Sequence, residues 1–189
     1  MNIILASQSP RRKQLLGYLV PNFEQRSADI DESVLGQESP RDYVERLANQ
    51  KAMVIFNKII GPENYLVIGS DTTVVNDGEI LGKPDSLEDC KAMLLALSGK
   101  EHQVLTAFSI VTKAKTVTKT VTTQVQFTNI SEQQVVEYWN TGEPQDKAGA
   151  YAIQGIGGKF VKSINGSVSA VVGLPLAELD STLKEFLVV

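Results

Sequence analysis

The sequence predicts an α/β protein with a central mixed β-sheet, and three of its features indicate this class. Short apolar runs suited to buried strands alternate along the chain with helix start signals. Two long stretches rich in β-branched residues follow one another, as paired strands do. Hydrophobic residues make up 42% of the 189 residues, enough to bury a core without disulfides or a metal. The length fits one large domain over residues 1–189, or two lobes that share a core.

The first third of the chain contains one predicted strand and two predicted helices. Residues 2–6 form a short apolar run that is typical of a buried strand. A serine that can cap a helix precedes proline twice, at Ser9 and at Ser39. The first serine predicts a short helix. The second predicts a longer helix to about Ile60, stopped by the Gly-Pro pair at 61–62.

The next segment predicts a strand that returns on itself. Residues 65–68 are apolar and continue through residues 69–71 into the β-branched stretch 72–75. Asn-Asp-Gly at 76–78 is a strong hairpin signal, and Glu-Ile-Leu at 79–81 can pair with the preceding strand. We therefore expect a hairpin here.

A helix and two strands follow. Ser86 with Asp89 resembles a capping box, and Gly99 can end the helix that it starts. Residues 103–111 and 116–127 are β-branched and partly alternating, which predicts two paired strands.

The last third predicts two more helices around a glycine-rich turn. A second capping-box pattern at 131–134 starts one helix. The glycine-rich residues 155–158 lead into a predicted strand at 159–161, within a hairpin that turns near residues 165–166. Pro175 opens the final helix. The residues of that helix expected to face the core are Leu176, Leu179, Leu183 and Phe186.

Charge and hydropathy exclude several partners. The 18 basic and 22 acidic side chains give a formal charge of −4, which argues against broad adhesion to nucleic acid or anionic lipid. Any anionic ligand must therefore be held by a local cluster. The apolar runs are too short for a signal peptide or a membrane span, so we expect no nucleic-acid or membrane partner and a cytoplasmic location.

The counts of metal-binding residues restrict the chemistry further. Cys90 is the one cysteine and His102 the one histidine, which excludes an intramolecular disulfide, a thiolate zinc site and an iron–sulfur cluster. A metal would have to be a hard cation on oxygen, Mg²⁺ or Mn²⁺. Cys90 falls within a predicted helix and is typical of core filling, and no nucleophile elbow accompanies His102.

Residues 7–12, Ser-Gln-Ser-Pro-Arg-Arg, predict an anion pocket. Backbone N–H groups at a helix start, two hydroxyls and the guanidiniums of Arg11 and Arg12 would converge on one spot. The alternative is a capped surface helix whose arginines face water. The order of strand, short turn and helix favours the pocket.

Two further residues stand where the pattern predicts something else. Lys51 lies four residues after Leu47 on the apolar face of its helix, so its ammonium must reach solvent or meet an anion. Asp71 follows an apolar strand, at the place where α/β sheets present catalytic side chains. The alternative for Asp71 is a turn aspartate that bonds its own backbone.

Three other features leave two interpretations open. The carboxylates at 29–32 could hold a cation or belong to a solvated loop. Lys83, between glycine and proline, could contact a phosphate or be an ordinary surface lysine. The glycines at 155–158 do not match the dinucleotide-binding pattern, because a strand rather than a helix is predicted after them, and they indicate a turn or a close approach of backbone.

The whole chain resembles the Maf family of nucleoside triphosphate pyrophosphatases, since eight short motifs occur in the family's order. They are Ser-x-Ser-Pro-Arg-Arg (7–12), Asp-Glu (31–32), Leu-Ala-x-x-Lys-Ala (47–52), Gly-Ser-Asp-Thr (69–72), Gly-Lys-Pro (82–84), Gly-x-x-His-x-Val-x-Thr (99–106), Asp-Lys-Ala-Gly-Ala-Tyr (146–151) and Val-Val-Gly-Leu-Pro-Leu (171–176). Each motif is weak by itself, and their order makes the resemblance specific.

The resemblance implies a two-lobed α/β fold like that of the inosine triphosphatases, with the site in a cleft and commonly a homodimer. It implies hydrolysis between the α and β phosphorus atoms, assisted by a divalent cation. Asp71 matches the family's catalytic proton acceptor. The residues that match its phosphate and metal surroundings are Ser9, Arg12, Glu32, Lys51 and Lys83. Glu32 and Asp71 would be the metal ligands.

Three positions resemble the branch of the family that hydrolyses dTTP and UTP. They are Arg11 after the proline, Thr72 after the catalytic aspartate, and Gln154 before the glycine-rich stretch. An amide offers both a donor and an acceptor, which can pair with the O4 and N3–H edge of uracil or thymine. Modified pyrimidine triphosphates are a further possible substrate.

The residues leave two questions about mechanism and role. An ordinary aspartate is a weak base at neutral pH, so either a neighbour such as Glu32 raises the pKa of Asp71, or a bound metal activates the water that Asp71 orients. We favour the metal-assisted version. The competing role is a nucleotide-binding regulator of cell division and septum formation that does not turn its ligand over. A P-loop motor is excluded because its phosphate-binding motif does not occur.

Overall fold

The structure, a computed structural model, describes residues 1–59 and 64–187 and confirms the α/β class. The strands in these ranges are β1 (Asn2–Ala6), β2 (Glu24–Arg26), β3 (Tyr65–Asn76), β4 (Glu79–Leu81), β5 (Glu101–Val111), β6 (Thr116–Phe127) and β7 (Val161–Asn165). The α-helices are α1 (Pro10–Gly17), α2 (Pro40–Asn57), α3 (Leu87–Leu97), α4 (Glu132–Trp139), α5 (Val168–Val172) and α6 (Leu176–Leu187). Short 3-10 helices cover Glu143–Asp146, Ala148–Ala150 and Ile156–Phe160.

The strands form a mixed sheet, as predicted. Their order is β2-β1-β3-β5-β6-β7, and β4 pairs with β3. Strand β1 is parallel to both of its neighbours, with Ile4 opposite Glu24 on one side and Val67 on the other. The pairs β3–β4 and β6–β7 are antiparallel. The parallel part of the sheet brings the carboxyl ends of β1 and β2 to one edge.

The chain divides into two compact units, each with its own apolar core. The first unit comprises Met1–Asp71, Thr106–Val121 and Gly173–Val189, and the second comprises Thr72–Leu105 and Thr122–Val172. The buried core of the first unit includes Ile4, Ala6, Ala52, Ile55, Val67 and Val111. The buried core of the second unit includes Cys90, Leu94, Leu97, Phe127, Tyr138 and Phe160.

The predicted helix starts are confirmed by their caps. The Ser9 and Ser39 side chains accept hydrogen bonds from backbone N–H groups three residues later. Helix α2 ends at Asn57, earlier than the expected end near Ile60. The N–H groups of Lys58 and Ile59 bond to carbonyls three residues back, so the last turn tightens and the α-helix stops. The Gly-Pro pair at 61–62 lies outside the described residues.

The hairpin predicted between β3 and β4 is present. Asp77 and Gly78 both have positive φ, 51° and 88°, as a two-residue type I′ turn requires. Asn76 therefore pairs with Glu79.

The hairpin predicted near residues 165–166 is wrong, because helix α5 follows the turn. Strand β7 pairs with β6 as one arm, but the Ser167 hydroxyl then accepts a hydrogen bond from the Ala170 N–H (3.2 Å) and starts a helix. The strand predicted over 159–161 begins only at Val161. The preceding residues are in a 3-10 turn, in which the Gly158 N–H bonds to the Gly155 carbonyl.

The final helix agrees with its prediction. Leu179, Leu183 and Phe186 of α6 are buried, and Leu176 at its start is partly buried. Across the described ranges, no helix combines the length and apolar character that a membrane crossing requires.

Candidate active site

The turn from β1 into α1 holds a guanidinium at a helix start. The Ser9 hydroxyl caps the Arg12 N–H at 3.4 Å, and the Ser7 hydroxyl accepts from Arg12 Nη1 at 3.5 Å. Arg12 Nε donates to the carbonyl of Gly173 at 2.8 Å, which joins α1 to the segment before α6. Arg11 is partly exposed on the same turn. Arg11, Arg12 and the capping Ser9 therefore share one turn, and their role as an anion pocket stays a prediction.

Arg12 lies within electrostatic range of both predicted carboxylates. Burial lowers the pKa of its guanidinium from the ordinary value, and the neighbouring Arg11 acts in the same direction. Asp71 and Glu32 oppose this by favouring the charged form. A cation that is buried next to anions in this way can also bind an anionic group of a ligand.

Lys51 joins the two predicted carboxylates directly. Its Nζ lies 2.7 Å from Asp71 Oδ1 and 2.6 Å from Glu32 Oε1. The side chains of Lys51 and Asp71 are 9% and 10% exposed, whereas the Glu32 side chain is 45% exposed. The buried lysine therefore meets an anion rather than reaching solvent, which settles the alternative that the sequence left open. Asp71 is an ion-pair partner within β3 and not a turn aspartate.

A close approach of α2 to β3 sets the distance between Lys51 and Asp71. A Cβ atom at Gly69 would lie 2.1 Å from the Ala48 carbonyl oxygen and 2.7 Å from the Ala52 N. Only glycine fits there, because nothing larger than hydrogen can face the helix backbone. Lys51 lies on the same helix between those two alanines, so the contact brings its ammonium to the strand residue two positions after Gly69.

Burial is the largest influence on Asp71, and it raises the pKa of the carboxyl group. Lys51 and Arg12 act in the opposite direction, and Glu32 adds only the smallest contribution toward a higher pKa. The sequence offered Glu32 as the cause of a raised pKa, and the structure makes burial the main cause instead. A carboxylate of raised pKa is a better base at neutral pH.

Sequence reasoning missed the residues that hold the loop carrying Glu32. The Tyr43 hydroxyl donates to the Glu32 carbonyl at 3.0 Å, and Arg46 Nη2 donates to the Ser33 carbonyl at 2.9 Å. Arg46 also binds both oxygens of the Glu38 carboxylate. Burial, with Asp71 and Glu32 next in importance, raises the pKa of Tyr43 to about 12, so its hydroxyl stays protonated as a donor. Tyr43 lies eight residues before Lys51, and the helical spacing that singled out Lys51 could have found it.

Ser70 and Gly173 were also missed. The buried Ser70 hydroxyl lies 2.8 Å from the Ala107 carbonyl and 3.1 Å from the Gly173 carbonyl. That second carbonyl is the one that accepts from Arg12. It therefore links the strand that carries Asp71 to the helix that carries Arg12, through a backbone carbonyl of the motif at 171–176 for which the sequence predicted no role.

The other predicted site residues belong to the second unit, and their part in the site stays a prediction. Thr72 follows Asp71 in β3. Lys83 lies just after β4 and is exposed. Gln154 is exposed and precedes the third 3-10 helix.

The acidic segment at 29–32 is mostly a solvated loop. Asp31 accepts hydrogen bonds from the Ser33 N–H and hydroxyl, which hold the pKa of its carboxyl below the ordinary value. Only Glu32 of this segment is paired with Lys51. In the part of the chain that the structure describes, no group of three or more histidine, cysteine or acidic residues could hold a metal ion. Mg²⁺ binds one or two carboxylates and completes its shell with substrate phosphates, so Glu32 and Asp71 as ligands of Mg²⁺ or Mn²⁺ stay a prediction.

The two residues excluded from chemistry are buried in the second unit. His102 Nε2 lies 2.8 Å from the Tyr151 hydroxyl, and burial lowers the pKa of the imidazole to about 4. Burial raises the pKa of the Cys90 thiol to about 11, so the thiolate that a nucleophile needs does not form at neutral pH. Cys90 fills the core, as predicted.

Comparison with known proteins gives concordant results. A family model described as "Maf-like protein" matches residues 2–186. The chain is 52% identical over 187 residues to a protein of Aliivibrio fischeri named dTTP/UTP pyrophosphatase, covering 98% of both chains. It is 53% identical over 183 residues to a protein of the same name from Colwellia psychrerythraea, covering 96% of this chain and 86% of that one. The solved Ham1 protein of Staphylococcus aureus shares the fold at a TM-score of 0.50 and 12% identity, covering 98% of this chain and 100% of that one.

Proposed function

The chain belongs to the Maf family, and from that premise we propose that it hydrolyses dTTP and UTP to the nucleoside monophosphate and pyrophosphate. Modified pyrimidine triphosphates are included as candidate substrates. The observation that carries the proposal is the buried Lys51 ammonium between the Asp71 and Glu32 carboxylates, next to Arg12. A cluster of this kind combines a base with cations that can hold phosphates.

In this proposal the cationic side chains bind the polyphosphate. A triphosphate carries about four negative charges, and its proposed cationic contacts are Arg11, Arg12, Lys51 and Lys83, in a chain that is acidic overall. Lys51 already balances part of the charge of Asp71 and Glu32. Arg12 is the best placed of these, because its Nε is fixed on the Gly173 carbonyl while its head lies near the carboxylates. Its guanidinium can balance charge that develops on the phosphoryl oxygens.

Asp71 is the proposed proton acceptor. Its buried position keeps bulk water away and raises the pKa of its carboxyl, while Lys51 holds one of its oxygens at 2.7 Å. The other oxygen can accept a proton from an attacking water. Lys51 therefore orients the carboxylate, and burial strengthens it as a base.

Glu32 and Asp71 would hold a divalent cation together with the substrate phosphates. When bound, Mg²⁺ or Mn²⁺ would lower the pKa of a water molecule and neutralise phosphate charge. The Glu32 backbone is fixed by the Tyr43 hydroxyl, and its side chain is half exposed, so its carboxylate can face a ligand without leaving the loop.

The choice of base is assigned to Gln154, with Arg11 and Thr72. A polar side chain that pairs with one base edge rejects the other bases, because its own donor and acceptor would be left unpaired. Gln154 is exposed and therefore free to meet a ligand.

The test is product analysis with purified protein, Mg²⁺ or Mn²⁺, and dTTP, UTP or GTP. Phosphorus NMR should show monophosphate and pyrophosphate from the pyrimidine nucleotides, and slower turnover of GTP. Nucleoside diphosphate with inorganic phosphate would place the cleavage at another bond. Tight binding without any product would instead indicate a regulator that does not turn its ligand over. Light scattering and cell fractionation would test two further parts of the proposal, a homodimer and a cytoplasmic location.

A further inference from the structure

We propose that Glu143 is a positioning residue for substrate discrimination, because it fixes the backbone on which Gln154 is carried. The inference rests on the proposed function in taking Gln154 to read the base. It adds a residue that lies eleven positions away in the sequence and would not itself touch the nucleotide.

The Glu143 carboxylate binds the glycine-rich turn through two backbone donors. Oε2 accepts the Ile156 N–H at 2.9 Å, and Oε1 accepts the Gly157 N–H at 2.9 Å. Oε1 also accepts the Tyr138 hydroxyl at 2.7 Å. A charged acceptor with three donors makes hydrogen bonds of the stronger class.

Tyr138 extends the attachment to the other side of Gln154. Its hydroxyl oxygen accepts the Ala152 N–H at 3.2 Å while its hydrogen goes to Glu143. The chain is thus tied two residues before Gln154 and again two residues after it. The Tyr138 ring is fully buried and packs edge-on against Phe160 at 5.3 Å, so the anchor itself is rigid.

Two glycines allow this close approach. A Cβ at Gly155 would lie 2.2 Å from Glu143 Oε2, and one at Gly157 would lie 2.4 Å from the Tyr138 hydroxyl oxygen. Gly155 and Gly157, which do not belong to a dinucleotide-binding motif, therefore let the Glu143 carboxylate and the Tyr138 hydroxyl approach the backbone.

Gln154 depends on these ties for its position. Its side chain is exposed, and among the described residues it makes no hydrogen bond that would fix it. The backbone of the turn consequently sets where its amide points. A reading group displaced by about 1 Å loses much of its effect, so freeing the turn should reduce discrimination while leaving the Asp71 cluster intact.

The test compares Glu143→Ala with Glu137→Ala, an exposed glutamate on α4 that serves as the matched control. Kd is measured for the α,β-methylene analogues of UTP and GTP, and kcat and KM for the nucleotides themselves. We expect the preference for UTP to fall at least about tenfold in Glu143→Ala, through KM and Kd, with kcat for UTP within about threefold of wild type. The control should keep the wild-type preference.

Two further measurements exclude a merely structural effect. Glu143→Ala combined with Gln154→Ala should discriminate no worse than Gln154→Ala alone, because both changes remove the same reading group. Tyr138→Phe keeps the buried ring and should lower the preference for UTP by a smaller factor than Glu143→Ala does. It replaces Glu143→Ala in the test if that variant proves unstable. The inference would be overturned by one result in a folded Glu143→Ala or Tyr138→Phe protein. That result is faster amide exchange at Ile156 and Gly157 together with an unchanged ratio of the Kd values for the UTP and GTP analogues. The binding ratio needs no turnover, so failure of the proposed hydrolysis would be seen separately.

Discussion

The first unit buries Lys51 and Asp71 as a charged pair, whereas the second unit buries His102 among aromatic rings. Lys51 and Asp71 each have a partner of opposite charge within 2.7 Å. His102 Nε2 lies 2.8 Å from the Tyr151 hydroxyl, and the His102 and Phe127 ring centroids are 4.7 Å apart. Burial lowers the pKa of the imidazole and so keeps it neutral. Both sites are equally closed to solvent, with exposures of 7% or less.

The difference teaches how to separate function from packing among buried titratable groups. A buried ion pair adds little net stability, because the cost of desolvating two charges offsets their attraction. Its retention in the first unit is therefore better explained by chemistry that needs the charges. A neutral imidazole avoids the cost of desolvating a charge, but the buried His102 Nδ1 has no hydrogen-bond partner among the described residues, which carries a smaller cost of its own.

Asp71→Asn should break the first site most severely. The amide keeps the shape and can still accept from Lys51, but it cannot take a proton. We expect kcat to fall by about 10² to 10⁴, with nucleotide affinity within a few-fold of wild type. Steady-state kinetics and titration calorimetry measure the two effects.

The control for that variant is Asp77→Asn in the β3–β4 turn, where asparagine tolerates the positive φ of 51°. It should leave kcat unchanged. An Asp71→Asn protein that keeps more than a tenth of the wild-type rate with Mg²⁺ or Mn²⁺ would remove Asp71 from the proposed role.

Lys51→Met should shift the pH dependence of the reaction. Lys51 is the strongest influence that lowers the pKa of Asp71, so removing the ammonium raises that pKa further. The base is active when deprotonated, and activity is therefore lost at a higher pH as the solution is acidified. We expect the acid limb of kcat/KM to move to higher pH, together with at least about a tenfold lower kcat/KM.

Lys58→Met, an exposed lysine at the end of the same helix, is the control and should keep the wild-type profile. An acid limb that stays in place in Lys51→Met would show that the lysine and the catalytic base are not coupled. Mn²⁺ affinity without nucleotide provides a second measurement. It should rise in the variant, because an ammonium no longer occupies the carboxylate oxygens.

His102 should give no effect on activity and an effect confined to stability at acid pH. Its pKa of about 4 in the folded chain lies below the unfolded value of about 6.5, so the unfolded chain binds the proton first as the pH falls. The stability contributed by the neutral imidazole is complete above pH 6.5 and is lost by pH 4, about 3 kcal/mol over the whole window. Urea unfolding of His102→Gln should show a smaller loss of stability over this range than wild type.

The single histidine allows a direct measurement as well. Its imidazole proton resonances should not titrate between pH 8 and 5 in the folded chain, but should titrate near pH 6.5 in concentrated urea. A folded-state midpoint above pH 6 would place His102 with the charged sites of the first unit and so remove the contrast between the two units.

The sequence predicted most of the elements because their signals are local. Ser9, Ser39 and the Asp-Gly turn at 77–78 act through hydrogen bonds and φ values within a few residues. The wrong hairpin arose where two local signals compete. β-Branched residues after Gly166 favour a strand, but the Ser167 cap wins and starts α5.

The sequence singled out Lys51 and Asp71 but did not predict that they form an ion pair. Lys51 was singled out because a charge interrupts an apolar helix face. Its pairing with Glu32 depends on a loop that Tyr43 and Arg46 attach to the helix, and such long-range contacts leave no periodic pattern. The shared Gly173 carbonyl is backbone, and backbone partners are not visible in side-chain motifs.

At Gly69 the distance between α2 and β3, and with it the Lys51–Asp71 ion pair, depends on a side chain that is a single hydrogen atom. Replacement of glycine by alanine is a common way to stiffen a chain and raise its melting temperature. At this position the added methyl group would push α2 away from β3. Engineering for heat tolerance should therefore leave residue 69 unchanged. A substitution made there to stabilise the chain would separate the Lys51 ammonium from the Asp71 carboxylate.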